Sequence, residues 1–85
     1  MLSPEVEDEQ RMRRDAQNRI EGTERLVRQI DQKKLVGEQQ QNLLTIQSFL
    51  TKAKEALSAR DLQRAFTLAD KAYLLADELS RTFSR

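Results

Sequence analysis

The sequence predicts an all-α chain, folded as an antiparallel three-helix bundle or as a long helical hairpin with coiled-coil-like packing. Three observations carry this expectation. Two glycines and one proline in 85 residues leave little material for turns. Apolar residues recur at steps of three and four along most of the chain, the repeat of a helix with one buried face. Start and stop signals divide the chain into helices over about 4–34, 38–59 and 61–83. The length suits one helical domain over 1–85, a charged amphipathic helix in 1–36 followed by an Ala-rich hairpin in 37–85.

The first helix opens at Ser3-Pro4-Glu5. A serine hydroxyl there can accept a bond from a free backbone N–H, and proline at the first helical position has no N–H to leave unmet. Glu5, Glu7, Asp8 and Glu9 follow where the positive helix end favours anions. Met12, Ala16, Ile20, Thr23, Val27 and Ile30, with Leu26, share an arc of about 120°. The rest of the helix is charged. Glu7–Arg11, Glu9–Arg13, Asp15–Arg19, Glu21–Arg25 and Glu24–Arg28 each place the acid four residues before the base, worth about 0.2–0.5 kcal/mol per pair. Lys33 and Lys34 suit a C-terminus, and Gly37 can adopt the left-handed conformation that ends a helix, so a break is expected at 35–37. The stripe agrees: extended past Ile30 it meets Lys34 and Gln41, whereas the next stripe begins at Leu43, a change of register across the glycine.

The second helix carries Leu43, Ile46, Leu50, Ala53 and Leu57, widened by Phe49 and Ala56 to an arc of about 140°. Gln39, Gln40, Gln41 and Asn42 form its opening turn and are expected to be solvated surface. Arg60-Asp61 leaves no loop residues before the third helix, with Asp61 a suitable N-cap, so the second and third helices must form an antiparallel hairpin. Leu62, Ala65, Ala69, Ala72, Ala76, Leu79 and Phe83 then run without a fault, and the alanines, with Ala53, allow backbones to approach closely. Phe66, Leu68, Tyr73 and Leu75 widen this arc to about 180°, more than one neighbouring helix can cover. The second helix is expected to cover part of it and the first helix the rest.

Fifteen Lys and Arg against fourteen Asp and Glu give a net charge of +1, so overall charge names no partner. The absence of histidine and cysteine excludes Ser-His-Asp and Cys-His nucleophile systems, disulfides and the common zinc, haem and copper sites, and no cofactor is expected. Asp70, Asp77 and Glu78 read as solvated charge, because di-iron bundles need a Glu-x-x-His pattern. The acids from Glu5 to Glu9 lack the glycine-bearing loop of a calcium site. Thr45, Ser48, Thr51 and Thr67 have no base to activate them, and Tyr73 reads as a core-edge ring with its hydroxyl in water. No stretch approaches the roughly 18 apolar residues of a membrane span, and the N-terminus lacks a basic-then-apolar leader. The chain is therefore expected to be soluble and, by default, cytoplasmic.

These readings point to a non-enzymatic helical protein–protein interaction or structural module. Its partner would be another protein or itself, as a homodimer, with no small-molecule substrate and no membrane insertion. The candidate contact residues are Met12, Ile20, Val27 and Ile30 on the first helix, with Leu44 and Leu74, which lie outside the stripes, as outer contacts. The alternative is nucleic-acid binding through the Arg-rich first helix. Eight acids balance eight bases within residues 1–36, and the helix offers no aromatic for stacking, so that alternative ranks second.

Phe49, Ala53, Ala56, Asp61-Leu62, Ala65, Ala69 and Ala72 together resemble a single tetratricopeptide-type helix pair over residues 49–75. In that family small residues at fixed places permit a close antiparallel pair, which the resemblance implies here; Arg60 stands where the family favours glycine. Residues 1–36 hold no second copy of the repeat, so no peptide-binding groove is implied. The wider layout is similar to small helical modules appended to bacterial envelope proteins, which would imply an envelope location if the chain belongs to a longer one.

Overall fold

A computed structural model describes residues 3–83, the last of them by its backbone only. Three helices follow one another: α1 (Pro4–Gln29), α2 (Glu38–Ser58) and α3 (Leu62–Phe83). Ala16 of α1 packs with Ala56 and Ala65, while Arg19 meets Asp70 and Gly22 meets Tyr73 further along. Positions therefore ascend together on α1 and α3, and α2 runs against both. The result is an up-down-up three-helix bundle whose Cα positions extend 50 × 22 × 14 Å. Helix α3 is its centre: α1 and α2 each pack along it and touch one another much less. This is how the half-cylinder of apolar surface on α3 is covered. Ala65, Ala69, Ala72 and Ala76 are buried along it, and Tyr73 faces α1. Small side chains at such contacts favour the short end of the roughly 8–10 Å range of helix separations. Phe83, the last residue of the expected α3 stripe, has its side chain outside the described residues.

The start of α1 follows the sequence reading: Ser3 Oγ accepts from the Val6 N–H at 3.3 Å and Pro4 takes the first helical position. Its end does not. The helix stops at Gln29, not near residue 34, and a short 3₁₀ turn spans Gln32–Lys34. Both Ile30 and Leu35 are buried, yet five residues apart on one helix they would point about 140° from each other. Extended backbone at both positions brings both inward, and Asp31 caps the intervening turn, its carboxylate accepting from the Lys33 N–H at 3.1 Å. Gly37 is thus the N-cap of α2 and not the stop of α1. Its φ of +50° explains the glycine, since a side chain there would be strained. The glutamines after it do more than face water: Gln39 Oε1 accepts from the Val36 N–H at 3.3 Å and Gln40 Nε2 donates to the Leu35 carbonyl at 2.8 Å.

The turn between α2 and α3 is a complete Schellman motif. The Asp61 N–H donates to the Ala56 carbonyl at 2.9 Å and the Arg60 N–H to the Leu57 carbonyl at 3.1 Å. Arg60 occupies the position glycine normally takes, with φ +60°. The left-handed conformation costs a non-glycine residue about 1–2 kcal/mol. Asp61 stands at the N-cap position, its carbonyl accepting from the Ala65 N–H at 2.9 Å.

Several of the local ion pairs expected on α1 are replaced by others. Arg11 pairs with Asp8, one turn back at 2.6 Å. Arg19 reaches Asp70 on α3 at 3.3 Å and lies over the Tyr73 ring, 5.3 Å from its centroid. Glu24 pairs with Lys54 of α2 at 2.9 Å. Asp70, expected as solvated charge, is half-buried beside Arg19, and Asp77 pairs with Arg81 at 2.9 Å. Arg19 and Glu24, on the flanks of α1, lie close enough to α3 and α2 to pair with side chains held by another helix. No described helix is long and apolar enough to cross a membrane.

Candidate interaction surface

The stripe of α1 is largely used inside the molecule. Ile20 and Ile30 are buried in the main core with Leu43, Ile46 and Leu79, and Val27 packs half-buried against it. These three cannot form an outward contact face, because α3 needs α1 to cover its second flank. Leu44 and Leu74 are outward, 57% and 55% exposed. Each has polar neighbours on its own helix, Gln40, Gln41, Gln47 and Ser48 around the first and Asp70, Lys71, Asp77 and Glu78 around the second. They are isolated leucines of the kind any surface carries, not a shared patch.

Met12 is different. With Phe66 of α3, also half-buried, it borders a groove of about 300 Å³ whose other lining residues are Asp8, Arg11 and Asp15. A second hollow of about 290 Å³ shares Asp15 and Phe66 and continues to Asn18 and Arg19. On the α2 side a third, of about 340 Å³, lies among Lys52, Glu55, Ala56, Ala59, Asp61 and Arg64. All three lie at the end of the bundle where α2 turns into α3. The grooves are open; the first sets Met12 and Phe66 within a charged rim, and the other two are lined mainly by charged and polar side chains.

The same end carries an uncovered length of helix. Ala16 is level with Ala56 and Ala65, four to five residues short of the turn at Arg60-Asp61. Residues 4–11 of α1 therefore pass beyond that turn by about 12 Å at 1.5 Å per residue. All eight are exposed, Val6 among them at 38%. Stepping back from Met12 along the stripe, the next positions are Glu9 and Glu5. The face that is apolar against α2 and α3 becomes acidic where those helices end. That switch is the signal in the sequence that marks this end; of the residues here, periodicity picks out Met12 among the six candidate contacts and Phe66 as the flank of a stripe. No family model, curated protein or solved structure matches this chain.

Proposed function

We propose that the protein is a non-enzymatic helical protein–protein interaction module whose contact surface is the end of the bundle around the α2–α3 turn. One observation carries this reading. The apolar stripes of the helices are turned inward, Leu44, Leu74 and Val36 being outward singly, whereas at this end two stripe-edge side chains, Met12 and Phe66, line one open groove beside two exposed turns of α1. Enzymatic chemistry needs ionisable groups held away from water, and among the described residues the buried polar side chain is that of Thr23, whose hydroxyl donates to the Arg19 carbonyl at 2.7 Å. A nucleic-acid role for α1 is weakened by the commitment of Arg11 to Asp8 and of Arg19 to Asp70 and Tyr73, which leaves fewer free cations for phosphates.

Site-specific photocrosslinking tests the reading. A benzoylphenylalanine replacing exposed Arg11 should capture protein in cells, and the same group replacing Leu44 should not. Equal capture at both positions, or an adduct at position 11 that nuclease removes, would overturn it.

A further inference from the structure

We infer that the uncovered start of α1 docks on a second copy of this chain, forming a two-fold dimer in which the bundles meet turn to turn. Each α1 then overlaps the partner by its first two helical turns. The inference rests on the interaction reading above and names the partner.

Charge selects that partner. Residues 4–11 carry four acids, Glu5, Glu7, Asp8 and Glu9, against one base, Arg11, and that base is already paired with Asp8. The turn itself carries Arg60 and Arg64 against Asp61, with Lys52 and Glu55 further back along α2 and Asp15 on the adjoining groove. Among the described residues none of Glu5, Glu9, Arg60 and Arg64 has an ion-pair partner within its own chain. Acidic helix start and basic turn do not pair within one molecule, the helix having passed the turn. Two molecules placed end to end satisfy both at once, since in a two-fold contact each surface meets the other's complement.

The apolar contribution is small: Val6 lies at the edge of an inward face that holds Glu5 and Glu9, and the partner's Met12–Phe66 groove carries Asp8, Arg11 and Asp15 on its rim. Arg60 also gains a reason. Glycine would meet the backbone demand of the turn without strain, whereas arginine keeps a cation at the point where the partner's helix arrives. About 12 Å of helix from each copy places the interface at the small end of the size classes, below about 1,200 Å² in total. A weak, salt-sensitive dimer is the expected species.

Sedimentation equilibrium on the full chain, at low and high salt, reads this directly. A monomer–dimer equilibrium is expected at low salt, weakened on the order of tenfold at high salt. Arg60→Gly should loosen the dimer while leaving the helical signal intact and the melting temperature equal or higher, which separates lost contact from lost fold. The decisive arm uses two variants, Glu5→Lys/Glu9→Lys and Arg60→Glu/Arg64→Glu. Each alone should be monomeric, and their equimolar mixture should regain a dimer, because acid then faces base on both sides. A chain that stays monomeric at low salt, or variants that dimerise alone as well as the parent, would overturn the inference. Photocrosslinking from position 11 to a different protein by a monomeric chain would overturn only the choice of partner and leave the interaction reading standing.

Discussion

The two ends of this bundle are built on different principles. At the end holding the α1–α2 connection, Ile30, Leu35, Leu43, Ile46 and Leu79 fill the space between the helices. At the α2–α3 turn the buried cluster is Ala16, Ala56 and Ala65, with Leu57 and Phe66 half-buried beside it and one larger buried side chain, Leu62, at the start of α3. The connections account for the difference. Residues 30–37, with two extended positions and a 3₁₀ turn, separate α1 from α2 widely enough for branched side chains. The Schellman turn joins α2 to α3 with almost no intervening chain, and small side chains dominate the contact beside it. One end therefore supplies most of the hydrophobic stabilisation, since a buried Leu or Ile contributes about 1.5–3 kcal/mol and an alanine methyl far less. The other trades burial for close approach and leaves apolar surface open at its rim.

The largest effect should come from the end rich in branched side chains. Ile46 is fully buried, so Ile46→Ala should cost about 2–5 kcal/mol, comparable to the whole stability of a bundle of this size. Urea denaturation followed by circular dichroism should find the variant largely unfolded at 25 °C; a loss below about 1 kcal/mol would mean this end is not where stability resides.

At the alanine end the opposite change is the informative one. Ala65→Leu adds volume where α1, α2 and α3 meet through alanines and should cost about 1–3 kcal/mol in the same assay, although leucine is nearly as good a helix former as alanine. A neutral result would show that the helices there are not held at methyl distance.

Gly22 tests the α1–α3 contact between the two ends. A Cβ added there would lie 3.1 Å from Tyr73 Cε2, so the roughly 1 kcal/mol of helix propensity that alanine brings is opposed by the ring. Gly22→Ala should be close to neutral alone and stabilising by about 1 kcal/mol in a Tyr73→Ala background, a coupling of at least about 0.5 kcal/mol in a double-mutant cycle. Additive behaviour would mean that the ring does not rest on the glycine.

The smallest effect belongs to the turn. Arg60→Gly removes the left-handed strain but gives back some chain entropy, for a net gain of about 0.5–1 kcal/mol in the thermal melt. A loss of stability would show that the arginine side chain itself supports the turn.

Much of this architecture was legible in the residues. The Ser3-Pro4 start, the α2 and α3 stripes and the zero-loop hairpin at Arg60-Asp61 all follow from local rules, and the structure keeps them. The reading of α1 as ending near residue 34 failed because Lys33, Lys34 and Gly37 are good stop signals locally, whereas Leu35 had to be drawn into the core by a fold that the stripe of α1 does not contain. Three of the candidate contacts lie in the chain's own core for a related reason. Ile20, Val27 and Ile30 are apolar on a helix face, and periodicity does not say whether such a face meets its own chain or another. Of the chosen contacts only Met12 lies on the open groove, and Phe66 and Arg60 joined it through the register of helices distant in sequence.

By itself the sequence determined what short-range physics controls: which segments are helical, which face of each is apolar, where helices begin, and that α3 needs two neighbours. Tertiary structure alone decided which charges pair, where α1 bends away, and that α1 outruns the turn by two helical turns. Helix periodicity is a property of residues three or four apart, whereas register, overhang and ion-pair choice depend on how whole helices slide against one another, and that is set by the summed packing of side chains far apart along the chain.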